Sequence, residues 1–310
     1  MALPAWPLRK RRRQIGFAIE TTETLSSTAA TVSAASNFLV YDPVYSAPDP
    51  TANNRRKQVG QYPGESIAPP GGLMATISFT VEPQYNDDTL TLLTACGMVN
   101  ATGTLTHTMN ASTFKCATIY MTQDGRKVGI RNAMGSFTIT FNNGGRLLIQ
   151  FTFTGIPLTV ADAAMWSATP ISNNSSFRSA AATITWNSAA IPKFSQGSVV
   201  CNNNVFLRPD SAAVAGYAHA MMGDPDLTAT FDFDAHKVAD FDAYGNRTSA
   251  TAGALSIAFS DGTHSITITS AKAQFADISD GSRDTITTDE TTFRLCQSTT
   301  GDDALKIIFA

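Results

Sequence analysis

Two carboxylates and an imidazole stand close together in Asp232-Phe233-Asp234-Ala235-His236. Residues two apart on a β-strand share a face, so Asp232, Asp234 and His236 would point the same way. Carboxylate and imidazole donors on one face are a conceivable metal site. The remaining residues do not complete it: no further ligand cluster is evident, and the comparable stretch of the first half carries Thr80 and Glu82. A solvated acidic face accounts for the same residues without a metal. His107, His219 and His264 are isolated in sequence, and no GxSxG, HExxH or glycine-rich phosphate loop is present. A Ser-His-Asp triad assembles in space and leaves no such spacing. On motif grounds the chain is not expected to be an enzyme, and no catalytic residue, metal or cofactor is assigned.

Two basic runs could meet phosphates: Arg9 to Arg13, which includes Arg11, Arg12 and Arg13, and Arg55-Arg56-Lys57. The overall balance argues against a dedicated nucleic-acid binder. Lys plus Arg number 22 against 25 Asp plus Glu, a net charge of −3, where such a protein would show a strong basic excess. Docking of an arm and a loop onto acidic patches of a neighbouring subunit is the preferred reading of both runs. The four cysteines, Cys96, Cys116, Cys201 and Cys296, form no CxxC pair and have no histidine at ligand spacing, so free and mostly buried thiols are expected. No apolar run reaches membrane-spanning length. The apolar stretch after the first basic run is cut short by Glu20, too early for a secretion signal, so synthesis in the cytosol is expected and the sequons at Asn100, Asn110, Asn174 and Asn246 carry no meaning.

The elements that position these residues are strands. Ile77, Phe79 and Val81 alternate with Thr76, Ser78 and Thr80, a period of two with one apolar face. Asn86-Asp87-Asp88, a Leu90/Leu92/Leu93 stripe and Gly97 predict a short helix with its start and stop. Asp124-Gly125 predicts a tight hairpin, and Asn142 to Gly145 a second turn between two Phe/Ile strands. The set then recurs. Thr76–Val81 reappears as Thr228–Phe233, followed by a helix expected from His236 to Tyr244 and stopped at Gly245. Asp261-Gly262 repeats the hairpin, and Ala271-Lys272-Ala273-Gln274-Phe275 repeats Ala133-Met134-Gly135-Ser136-Phe137. A last turn is expected at Asp280-Gly281-Ser282. Strand Phe38–Tyr41 is expected to end at Pro43.

The expected organisation is a mainly β chain with two tandem β-sandwich or barrel units, each with a flanking helix. Residues 1–36 are read as an arm that orders only against a neighbour. Residues 37–156 are the first unit, with a long proline-rich loop at 42–72. Residues 157–194 are linker and entry strand, and 195–310 the second unit. Sheets of this kind leave edge strands that must be covered or paired, and a ring of copies pairs every edge.

In order, these residues resemble the tail tube proteins of tailed bacteriophages. The resemblance rests on Gln14-Ile15-Gly16-Phe17-Ala18-Ile19-Glu20-Thr21-Thr22, Phe38 to Pro43, Ile119 to Gly125, Ala133 to Thr138, Phe206-Leu207-Arg208-Pro209-Asp210, and the end from Arg283-Asp284 through Leu305. No single motif is specific; the ordered set over nearly the whole chain carries the likeness. It implies units that join side by side into a continuous barrel around a channel, with rings stacked through arms and loops. It also implies a duplicated chain in which three copies make one ring of six-fold character, or six copies if one half is decoration. The partners implied are the chain itself, the tail terminator, tip or baseplate and tape-measure proteins, and genomic DNA in transient passage, with no membrane. The place implied is the virion tail, assembled in the host cytoplasm. On that reading Asp232, Asp234, Asp277 and Asp280 are candidates for an acidic channel wall. Arg55, Arg56 and Lys57 are candidates for an inter-ring loop, and Arg11 to Arg13 for arm contacts. The rival is a carbohydrate- or receptor-binding β-sandwich of a virion or cell surface, which would use exposed aromatics such as Trp166, Trp186 and Tyr217.

Overall fold

The computed structural model describes residues 12–20, 29–48, 72–85, 88–109, 114–167, 176–299 and 301–310. Among them the chain forms β1 (Arg13–Glu20), β2 (Leu39–Ser46), β3 (Ala75–Glu82), α1 (Thr89–Thr94), β4 (Met98–Ala101), β5 (Thr104–His107), β6 (Cys116–Gln123), β7 (Arg126–Asn142), β8 (Leu148–Pro157) and β9 (Ala161–Asp162). There follow β10 (Arg178–Trp186), β11 (Ala189–Ala190), β12 (Phe194–Asn202), β13 (Phe206–Pro209), β14 (Tyr217–Met221), β15 (Asp226–Asp234), α2 (Ala243–Thr248), β16 (Ala252–Ser260), β17 (Ser265–Arg283), β18 (Ile286–Cys296) and β19 (Lys306–Phe309). The protein is mainly β, and every ladder is antiparallel.

The pairing order of the first half is β1-β6-β7-β8-β3-β2. The second half runs β10-β16-β17-β18-β15-β12, the same order element by element. In each half one very long strand, β7 or β17, serves both layers. Its near end pairs with β6 or β16 and its far end with β8 or β18. The layers then face each other across aromatic side chains. Phe17 of β1 stacks on Phe38, and Phe38 on Phe79 of β3. In the second half Trp186 of β10 packs edge-on against Phe275 at 5.0 Å and lies beside Phe293.

The halves are sewn together by two further ladders: a short one between β19 and β5, from Lys306↔Thr106 to Ile308↔Thr104, and a longer one that forms the seam. The far end of β7 pairs with β12 from Gln196↔Asn142 to Cys201↔Phe137. The core is continuous across this seam: Phe141 lies against Phe194, Phe231 and, at 5.0 Å, Phe259. Gly197 makes the approach possible, since a Cβ there would sit 2.6 Å from the Phe141 ring and 2.9 Å from Phe231. Asn203, fully buried, closes the end of the seam by donating to the carbonyls of Cys96 and Gly135, both at 2.8 Å.

Several local expectations are corrected. Residues 13–20, expected within an arm that orders only against a neighbour, pair with β6 of the same chain. Ile15 is buried there, so apolar alternation won over the polar surroundings of that stretch. Strand β2 does not end at Pro43 but bulges there, between Tyr41 and Val44, which spares the ladder a missing N–H. Helix α2 begins about where it was expected to stop. Asp242 caps it by accepting from the Gly245 N–H at 2.7 Å, so this Gly lies inside the helix. The turn expected at Asp280 to Ser282 is strand: Gly281 pairs with Thr288, and β17 turns only after Arg283, where Asp284 takes a φ of 54°. Asp124-Gly125 forms the expected hairpin, with φ of 45° and 101° at its two turn residues. The Asn86-Asp87 part of the predicted cap lies outside the described residues. Asp88 precedes α1 with no side-chain cap bond and exchanges hydrogen bonds with Asn37 instead.

Candidate functional site

The seam gives the molecule its dominant surface. Through it the sheet runs unbroken as β2-β3-β8-β7-β12-β15-β18-β17. One face of this sheet is core, filled by Phe137, Ile139, Phe151, Val199, Phe231 and Phe293. Period-two alternation forces the other face to carry the intervening side chains. These are mostly hydroxyls and amides: Thr76 and Ser78 on β3, Gln150 and Thr152 on β8, Thr138 and Thr140 on β7, Ser198 and Asn202 on β12, Thr228 and Thr230 on β15. Two shallow grooves, of about 560 and 520 Å³, lie on this polar face, one at each end of the seam. Neither is an enclosed cleft with converging acid and base groups.

Carboxylates cluster on the second half of the face. Asp232 and Glu290 sit opposite each other across β15 and β18, and Asp277 and Ser279 follow on β17. Asp232 is buried. It accepts from the Ser195 hydroxyl at 2.6 Å, the Ser195 N–H at 2.8 Å, the Gln196 N–H at 2.7 Å and the Arg283 guanidinium at 3.0 Å. Burial alone would raise its carboxyl pKa, but these donors outweigh it and hold the group below the ordinary range. Arg283 also grips Asp234. The two carboxylates do share a face, as the spacing predicts, and a guanidinium fills the position between them. His236 lies beyond the strand end, exposed. Among the described residues no group of three or more His, Cys, Asp or Glu side chains is placed to hold a metal ion.

The other sequence-predicted residues scatter. Asp277 is exposed at the groove and paired with Arg247 of α2 at 3.1 Å. Asp280 is on the opposite side of β17 and accepts from the Tyr244 hydroxyl at 3.1 Å. Arg12 pairs with Asp124 at 2.8 Å, and Arg13 donates to the Pro43 carbonyl at 2.6 Å. Arg11, Arg55, Arg56 and Lys57 lie outside the described residues. All four cysteines are free, with Cys96, Cys116 and Cys201 buried. Burial pushes the Cys96 and Cys201 thiols up, which makes them poor nucleophiles. His107 is buried against Asn203 at 2.9 Å, and burial lowers its pKa.

The aromatic platform of the rival reading does not form. Trp186 is a core residue whose ring N–H donates to the Ala273 carbonyl at 3.0 Å. Trp166 lies over Gly16 and Tyr217 over Gly72. Sequence reasoning missed Glu290 and the continuous hydroxyl face itself. The Ser/Thr alternation on each strand was legible, but the ladder that joins β7 to β12 has no local signal.

No helix among the described residues is long and apolar enough to cross a membrane. Residues 10–298 match a family model described as phage tail tube protein. A search of curated proteins gives no match.

Proposed function

The chain belongs to the phage tail tube protein family, a structural component of the virion tail, and from that premise we propose that its polar eight-stranded face lines the channel through which the genome passes. The observation that carries this reading is the unbroken sheet across the internal seam. Each half contributes four adjacent strands, in the same order, to one face without an internal edge. We read the two halves as copies of one unit, so that three chains supply six equivalent wall segments.

Size agrees. Three copies of an eight-stranded sheet give 24 strands. At ~4.8 Å per strand and a tilt of about 40°, 24 strands close on a backbone circle roughly 48 Å across, and six copies would double that. The smaller circle, lined by short Ser, Thr and Asn side chains, is wide enough to pass a DNA duplex without contact to the wall. Chemistry agrees as well. Hydroxyls and amides offer no fixed positive charge, Arg146 and Arg283 are neutralised by Glu82, Asp232 and Asp234, and Arg294 is the one further arginine exposed on this face among the described residues of its eight strands. A wall of this kind does not collect phosphate contacts, each of which would slow passage. Asp232, Asp277 and Glu290, with the arginine-paired Glu82 and Asp234, are carboxylates of the wall. The loop carrying Arg55, Arg56 and Lys57 reaches the next ring, and the tube ends meet terminator, tip and tape-measure proteins. Assembly takes place in the host cytoplasm.

Negative-stain images and native mass measurement of the purified chain test this. Hollow rings or tubes of uniform bore, with a ring mass of three chains, are expected. A stable monomer at high concentration overturns the proposal.

A further inference from the structure

The eight-stranded sheet has an unpaired border at each end among the described residues, and these two match the two borders that meet inside the molecule. Strand β2 pairs on one side with β3 and on the other with nothing, and Val44 in it is 50% exposed. The far half of β17 pairs with β18, while the side that β16 covers up to Gln274 is open from there to Arg283. In the recurring pairing order β2 occupies the place of β12, and β17 the place of β7. The β12–β7 seam is therefore a template for a contact between copies.

The template also sets the register. Phe79 and Phe231 hold the same column in β3 and β15, so across the neighbouring ladders Val44, Tyr45 and Ser46 stand where Ser198, Val199 and Val200 stand. Across β8 and β18 the same column places Ile278 where Phe137 stands. A second marker agrees. Ala133 and Ala273 are the first residues after the matching bulges opposite β6 and β16, and the extra bulge between Phe275 and Asp277 brings Ile278 level with Phe137. Phe275 thus aligns with Gly135, two residues from the match that its sequence suggests.

On the reading of the chain as a tube subunit, we propose that β2 of one copy pairs antiparallel with β17 of the next, in the register Val44↔Gly281, Tyr45↔Asp280, Ser46↔Ser279 and Ala47↔Ile278. The partner is a second copy of this chain, joined head to tail, which closes rings. Side-chain parity supports the register. Val44 and Ser46 lie on the polar face with Ser78 and Thr76, and Gly281 and Ser279 lie on it with Thr288 and Glu290. Any one-residue slip would put polar-face residues opposite core-face residues. The contact extends the polar face across the copy boundary without a break.

Disulfide trapping reads the register directly, because antiparallel partners about 4.5–5.5 Å apart at Cα fall within bonding range. Ser46→Cys with Ser279→Cys, in a Cys296→Ser background, is oxidised after assembly and run on a non-reducing gel. A ladder ending at a covalently closed trimer is expected. The Ser46→Cys/Ser282→Cys control should remain uncrosslinked, and the parent without added cysteines should run as single chains. Rings that form while the 46–279 pair stays reduced overturn the seam but leave the tube reading standing. Failure of the parent chain to form rings overturns the tube reading instead. If the double variant does not fold, Val44→Asp serves: this exposed change should leave a folded monomer with at least a tenfold loss of rings, and rings at the parent's yield overturn the seam.

Discussion

Arg283 holds Asp234 at the end of β15 as Arg146 holds Glu82 at the end of β3. In both halves the arginine comes from the chain beside the turn that follows the long strand, and the carboxylate closes the first core strand. The carboxylates lie on the polar face, so the guanidinium removes a charge that the sheet would otherwise bury alone. In the first half Tyr41 adds its hydroxyl to Glu82 at 2.7 Å. In the second, Asp232 is drawn into the same grip at 3.0 Å.

Loss of the clamp should be felt as stability and should depend on pH. Burial would raise the pKa of both Asp232 and Glu82, yet the hydroxyl, amide and guanidinium donors around them lower it. Carboxyls lowered by folding stabilise the protein above their unfolded values, near pH 4, and that contribution is lost as pH falls through the folded values. Arg283→Met should therefore cost about 1–3 kcal/mol at pH 7, discounted for the partial exposure of Arg283. The gap between variant and parent should narrow below about pH 4, as Asp232 protonates. Chemical denaturation at pH 7 and pH 3 measures both. An equal gap at the two pH values would show that the ion pairs are not its source.

The internal seam should be the costliest place to injure. Phe141→Ala empties a site shared by three rings of the second half and should destabilise by about 3–5 kcal/mol. Gly197→Ala presses a methyl against two of the same rings and should cost about 1–3 kcal/mol. Denaturant melts of the two variants, with ring yield measured on the survivors, test whether the halves fold as one cooperative unit. A biphasic transition in Phe141→Ala would mean that the seam couples them.

The chemistry of the polar face proposed as the channel wall can be inverted without disturbing the fold. Gln150 and Thr152 are exposed on β8, so Gln150→Lys with Thr152→Lys should leave thermal stability within about 0.5 kcal/mol. Tubes of the variant should retain DNA at low salt and release it steeply as salt rises, whereas parent tubes retain little at any salt. Filter binding across a salt series gives the result. Equal retention by both would remove the electrostatic argument for a neutral lining.

The parts legible in the sequence were those with a local cause. Alternation at Ile77, Phe79 and Val81, and at Phe137, Ile139 and Phe141, located strands and core faces, and the two positive-φ residues of Asp124-Gly125 located a turn. Gly281 was misleading because a glycine between polar residues looks like a turn, whereas here it lies in the ladder against Thr288. Asp277 and Asp280 both looked like wall residues. Three positions apart on a pleated strand, they must face opposite ways, and the bulge at Ala276 decides which one meets the groove. The β7–β12 ladder was illegible because it brings together segments more than fifty residues apart through contacts that neither segment announces.

Phe141 fills the joint within the chain, while Ser282 holds the matching position at the outer border of β17. The inner joint is oily; the joint proposed between copies would be polar and shallow. Freshly made chains thus meet one another through a surface too weak to trap a wrong pairing. Growth would then advance by reversible trial, with each misplaced copy released before the circle locks, and a finished tube would come apart only in two-unit steps.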